Sequence, residues 1–116
     1  MSIKTAIILG VGPHEGLGAV LSKQAAATGL HVIVAGRTLA KVTAVADAIR
    51  ASGGQASPVE CDATDEDSVI GLFKAAEVTG PVALAIYNAG NNMPGGVEGM
   101  KADYFEKCWR VCAYGA

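Results

Sequence analysis

The feature that most constrains this chain is the junction near its start between a short apolar run and a cluster of glycines. Thr5-Ala6-Ile7-Ile8-Leu9 is apolar and rich in β-branched residues, and it breaks at Gly10-Val11-Gly12-Pro13-His14-Glu15-Gly16-Leu17-Gly18. That order predicts a strand, a tight turn and the start of a helix. A strand inside a parallel sheet is buried on both faces, so its residues need not alternate polar with apolar, and these do not. A turn with little side chain lets backbone N–H groups approach an anion, and the N-terminus of the following helix adds partial positive charge. The junction is therefore a candidate cradle for a diphosphate.

The same alternation repeats along the chain. Apolar positions Leu17, Val20, Leu21 and Ala25 predict a first helix over residues 17–28, which Gly29 ends. A second apolar run at residues 32–35 breaks at Gly36-Arg37-Thr38, and Leu39, Val42, Ala46 and Ile49 then resume helical spacing up to Ser52-Gly53-Gly54. A short strand is expected over residues 56–61, with Pro58 as an irregularity. Thr64 reads as the N-cap of a third helix with Asp65, Glu66 and Asp67 in its first turn and Val69, Leu72, Phe73 and Ala76 as its buried stripe. After Gly80-Pro81 comes a fourth strand at residues 82–87 and a loop from Asn88 to Gly96. Phe105, Cys108, Trp109 and Cys112 then fall at i, i+3, i+4 and i+7 of a fourth helix. Strand and helix alternating in this way predict a doubly wound parallel α/β sheet of the Rossmann type. In such sheets ligands bind at the carboxyl edge, so the clusters after strands one, two and four are expected to share one crevice.

Composition narrows the function classes. At 116 residues the chain is one domain at most, and 51% hydrophobic residues suffice for a packed core. The net charge is −2 and the basic residues are scattered, which argues against nucleic acid or an anionic membrane as partner. No apolar run approaches the roughly 18 residues of a membrane span, and no leader pattern opens the sequence, so a cytoplasmic protein is expected. Cys61, Cys108 and Cys112 show neither a C-x-x-C pair nor a zinc spacing, so they are expected as reduced thiols packed as small hydrophobes, with no metal.

Counting from Gly10 leaves Glu15 where the third glycine of G-x-G-x-x-G belongs, whereas counting from Gly12 gives Gly12-x-x-x-Gly16-x-Gly18. That spacing resembles the short-chain dehydrogenase/reductase fingerprint, often written T-G-x-x-x-G-x-G. Val11 stands where the family usually has Thr, and Pro13-His14-Glu15 replaces small residues. An acid there should weaken phosphate binding unless it points to solvent. Cys61-Asp62 with its acidic helix start resembles the family's segment after strand three, and Tyr87-Asn88-Ala89-Gly90 resembles N-N-A-G with Tyr87 for the first Asn. The resemblance covers essentially the whole chain.

The resemblance implies a nicotinamide dinucleotide, with Gly12, Gly16, Leu17 and Gly18 at the diphosphate, Asp62 at the adenine ring, and Asn88, Ala89 and Gly90 lining the ribose. Asp62 reads equally well as a loop acid that helps to cap the third helix. In a dinucleotide site an acid at the end of strand two holds a free ribose hydroxyl, and this chain has no acid between Glu15 and Asp47. Arg37, with Thr38, stands there instead and suits a 2′-phosphate, which favours NADP over NAD.

The family's proton-transfer set is not complete here. No Tyr-x-x-x-Lys occurs, and Val111-Cys112-Ala113-Tyr114-Gly115, which resembles the family's V-N-x-x-G, has Cys112 in place of the Asn. A thiol does not reproduce an amide's donor and acceptor pair. The sequence thus reads as the N-terminal, cofactor-binding half of a larger domain, not expected to turn over by itself. Its parent is expected to be an NADP(H)-dependent oxidoreductase acting on an alcohol or carbonyl, a homo-oligomeric dimer or tetramer in which Phe105 and Trp109 face either a partner or the core. The loop over residues 91–99 would touch substrate. A non-catalytic NADP(H)-binding sensor and an interaction protein on a degenerate Rossmann scaffold are the competing readings.

Overall fold

Each apolar run of the sequence becomes a strand of one parallel sheet. In the computed structural model, which describes residues 3–13, 15–90 and 97–116, β1 is Thr5–Leu9, β2 His31–Gly36, β3 Gln55–Glu60 and β4 Val82–Tyr87. Between and after them run α1 (Leu17–Ala27), α2 (Leu39–Ala51), α3 (Glu66–Thr79) and α4 (Ala102–Trp109), with a 3₁₀ turn at Val97–Gly99 and a π-helical turn at Arg110–Tyr114. The strand order is β3-β2-β1-β4, with every neighbouring pair parallel. This is a Rossmann-like α/β fold, present in part.

The two faces of the sheet explain why β1 and β2 show no alternation. Ala6, Ile8, Val32 and Val34 pack on one side against α1 and α2, where Ala19, Val42, Val45 and Ile49 meet them. Ile7, Leu9, Ile33 and Ala35 pack on the other, against Leu72 and Ala76 of α3. Burying each large aliphatic side chain contributes about 1.5–3 kcal/mol, and these two central strands therefore anchor the domain. Pro58 is accommodated because β3 is an edge strand, where the missing N–H breaks no ladder on its open side. At the other end of the sheet Thr5, fully buried, donates its hydroxyl to Thr79 Oγ1 at 2.7 Å, and Thr79 in turn donates to the Ala76 carbonyl at 2.8 Å.

Several sequence expectations change. α1 buries Gly18, Ala19, Ser22 and Ala25, while Leu17 and Val20 are 63% and 54% exposed. The helix lies too close to the sheet for large side chains beneath its first turns, so they rotate to its flank. Leu39, at the first position of α2 beyond the end of β2, is exposed as well, and Phe73 of α3 turns outward. The N-cap of α3 is Asp65, whose Oδ1 accepts from the Asp67 N–H at 3.1 Å. Thr64 is not available for that role because its hydroxyl donates to Asp62 Oδ1 at 2.7 Å. The fourth helix widens to π geometry at Arg110, which breaks the expected i+7 stripe; no residue of it is buried, and Phe105 and Trp109 are exposed. Of the three thiols only Cys61 is buried; Cys108 is half-buried and Cys112 exposed.

Candidate functional site

Three loops leave the carboxyl ends of β1, β2 and β4 and meet, with the loop after β3, around one crevice of about 280 Å³. It is lined by Gly12, Gly16, Leu17, Gly18, Arg37, Thr38, Asp62, Asn88, Ala89 and Gly90, so the structure brings together every residue singled out for cofactor binding. Cys112 does not line it, although its neighbour Val111 does.

The glycine loop is held by its ends. Gly10 and Val11 both donate to the Ala35 carbonyl, at 2.9 and 3.0 Å, which ties the loop to the end of β2. Asn88 donates its backbone N–H to the Leu9 carbonyl at 2.7 Å and its side-chain amide to the Gly10 carbonyl at 3.1 Å, which ties the same loop to β4. Gly10 has φ of +104° and a Cβ there would overlap the Asn88–Ala89 backbone, so only glycine fits. A Cβ on Gly18 would stand 2.8 Å from the Gly10 carbonyl oxygen and 3.0 Å from Val11 Cα, which is what presses the start of α1 onto the loop.

Beyond those fixed points the loop is open. A Cβ built on Gly12 meets no atom within 4 Å. Glu15 is exposed and is not part of the crevice lining, and Pro13 forms wall without filling the space. The N-cap of α1 is Gly16, with no side-chain bond and no acid in the first turn. The first intrahelical bond among the described residues runs from the Val20 N–H to the Gly16 carbonyl at 3.1 Å, and the amides of residues 17–19 have no i−4 partner among the described residues. Such a start suits an anion.

One end of the crevice is built from the exits of β2 and β3. Arg37 and Thr38 are exposed there, and Thr38 caps α2 without a side-chain bond. Asp62 Oδ1 accepts from the backbone N–H and hydroxyl of Thr64, at 2.9 and 2.7 Å, forming a turn that leads into α3. Those two bonds hold its carboxyl below the usual carboxylate range, against slight desolvation and with help from the Arg37 charge. Cys61 is pushed up by burial, which the bond from Ser68 only partly offsets, and the nearby carboxylates of Asp62 and Asp65 add to the rise.

The chain as a whole has clear counterparts among known proteins. The chain matches the family model described as short chain dehydrogenase over residues 4–116. The chain belongs to the short-chain dehydrogenase family. It is 35% identical over 91 residues to an uncharacterised oxidoreductase of Myxococcus xanthus, covering 78% of this chain and 35% of that protein. It is 33% identical over 93 residues to a fatty acyl-CoA reductase of Acinetobacter baylyi, covering 79% and 32%. Among solved structures, a hydroxysteroid dehydrogenase from Escherichia coli superposes with a TM-score of 0.89 at 29% identity, covering 98% of this chain and 48% of that one. A short-chain dehydrogenase from Rhodopseudomonas palustris gives a TM-score of 0.88 at 28% identity, covering 97% and 52%. The chain thus spans about a third of the curated relatives and about half of the structural neighbours.

The departures from the family pattern have structural consequences. Tyr87, in place of the family's first Asn, sends its hydroxyl across to donate to the Val111 carbonyl and so pins the π-helical turn beside the crevice. Burial raises its pKa, and negative charge on Cys112 or Cys61 would raise it further. Residues 91–96 of the expected substrate loop, and His14, lie outside the described residues. Among the described residues no group of three His, Cys, Asp or Glu side chains is gathered as for a metal, and no helix is long and apolar enough to cross a membrane. Among the lining residues that the sequence reading passed over is Lys41, which was signalled by its place four residues beyond Arg37.

Proposed function

We propose that this chain is the cofactor-binding half of an NADP(H)-dependent oxidoreductase acting on an alcohol or carbonyl. The observation that carries the reading is the open glycine loop ending on the uncapped start of α1. The residues present fit a dinucleotide: the space beside Gly12 is free, and no acidic side chain stands in the first turn of α1 or α2. In this reading Gly12, Gly16, Leu17 and Gly18 surround the diphosphate, with the amides of residues 17–19 donating to it. Arg37 and Thr38 take the 2′-phosphate, and Asp62 accepts from the adenine amino group with Oδ2, since Oδ1 is already engaged by Thr64. Asn88, Ala89 and Gly90 line the ribose, and the Asn88 amide keeps the loop from drifting away from β4.

When bound, the nicotinamide supplies or accepts the hydride. The proton must be moved by other groups, and these 116 residues hold no Tyr-x-x-x-Lys pair. Cys112 takes the position of the family Asn and lacks its amide, so this segment binds and orients without completing a proton relay. Turnover, the substrate pocket and the catalytic Ser and Tyr-Lys residues are assigned to sequence beyond this half, in a cytoplasmic homodimer or homotetramer whose contacts suit the exposed Phe105 and Trp109. The same cysteine favours one alternative, a non-catalytic NADP(H)-binding regulatory or sensing module.

Fluorescence titration with NADPH and NADH tests the reading. NADPH is expected to bind the more tightly, and Arg37→Ala to weaken NADPH by roughly tenfold or more while changing NADH far less. Equal weakening of both cofactors removes the case for NADP. Failure of either to bind removes the dinucleotide reading.

A further inference from the structure

Tyr87 and Asn88 stand side by side at the end of β4 and fasten different walls of the crevice. Successive residues of a strand point to opposite faces. Asn88 holds the glycine loop through the Gly10 carbonyl, whereas the Tyr87 ring packs against the cluster that contains Leu9, Cys61 and Ala63, and its hydroxyl donates to the Val111 carbonyl. The π-helical turn is what leaves that carbonyl over. In an α-helix the Gly115 N–H would serve Val111, four residues back. Here it donates to Arg110, five back, at 2.9 Å, and the Ala116 N–H donates to Ala113 at 3.3 Å. Val111 is half-buried, and the phenol supplies the donor that its carbonyl needs. Gly115 closes the arrangement. A Cβ on it would overlap both the Tyr87 hydroxyl and the Ala63 carbonyl, so the turn is seated directly on the loop after β3.

Held in this way, Val111 lines the crevice together with Ala89 and with Cys61 and Ala63, which flank Asp62. We infer that Tyr87 is a positioning residue for the cofactor base: by keeping the turn in its wide register it holds Val111 in the crevice wall and limits how broad a ring the crevice admits beside Asp62. This rests on the dinucleotide reading above and adds to it the residue that sets the shape of the base site. Without the phenol, the Val111 carbonyl regains a backbone donor by the turn tightening to α, with Gly115 donating to it. That change of register rotates Val111 relative to Ala63. The phenol suits a lasting tie, since burial raises its pKa and keeps it protonated as a donor.

The experiment compares NADP with its etheno-adenine derivative, whose base carries an extra fused ring, on the full-length protein and on Tyr87→Phe and Val111→Ala. Both variants keep Asp62, so a hydrogen bond lost with the modified amino group is lost in all three proteins and cancels in the comparison. The native protein should bind the etheno derivative roughly thirtyfold more weakly than NADP, and each variant should narrow that ratio to about threefold while holding NADP itself within about threefold of native. A tie that only stabilised the fold would lower the unfolding midpoint and leave the ratio alone. Equal affinity of the native protein for both ligands, or a native ratio in Tyr87→Phe, overturns the role of Tyr87 while the dinucleotide reading stands. If Tyr87→Phe does not fold, an unchanged ratio in Val111→Ala overturns it instead. Failure of the native protein to bind NADP at all removes the dinucleotide reading and this inference with it.

Discussion

The starts of α1 and α3 stand on the same edge of the sheet and are built in opposite ways. α3 begins at Asp65, whose carboxylate accepts from the Asp67 amide, and two further acids follow in the first turn. One of its exposed donors is satisfied by its own cap, and its dipole by its own acids. α1 begins at Gly16 with no side-chain cap and no acid in its first turn, and Gly16, Leu17 and Gly18 line an open crevice. α2 is of the second kind, with Thr38 making no side-chain cap and Lys41 where an acid would be favourable. Under the proposed function, the difference separates a helix start that serves folding from one left for a ligand to complete.

The sharpest way to break this contrast is to fill the space that α1 leaves. Gly18→Val places a side chain against the Gly10 carbonyl and Val11 Cα, and overpacking of this kind costs about 1–3 kcal/mol. It should lower the unfolding midpoint and abolish NADPH binding, whereas retained binding would mean that the loop and α1 need not approach so closely. A smaller effect is expected at the other helix. Asp65→Ala removes the α3 cap and should cost about 1 kcal/mol in a denaturant titration, with NADPH affinity unchanged. A loss of affinity there would show that the two helix starts are not separate in function.

The sequence makes the central part of the molecule legible because β1 and β2 are buried on both faces, and continuous apolar runs such as Ala6-Ile7-Ile8-Leu9 have few other uses. The site was legible for a related reason: a loop that must pass under a helix at the distance of Gly18 leaves glycines in the sequence. The edges were harder to read. β4 is as apolar as the central strands, yet among the described residues it pairs only with β1, and Leu84 is 37% exposed, which its own residues do not announce. On α1 helical periodicity pointed to Leu17 and Val20, but the close approach to the sheet selects Gly18, Ala19 and Ser22 for the buried side. Two adjacent cap residues, Thr64 and Asp65, were separable only by seeing that Asp62 claims the threonine hydroxyl. The π-helical turn at Arg110–Tyr114, pinned by the Tyr87 hydroxyl, leaves no trace in residue spacing.

Backbone amide chemical shifts during an NADPH titration test the central claim most directly, because they report each helix start separately. The account predicts large shifts for residues 17–19 at the start of α1 and clear shifts at Leu39 and Ala40 of α2, with Glu66, Asp67 and Ser68 of α3 nearly unmoved. Shifts concentrated on α3, or an α1 start that does not respond at saturating NADPH, would contradict it.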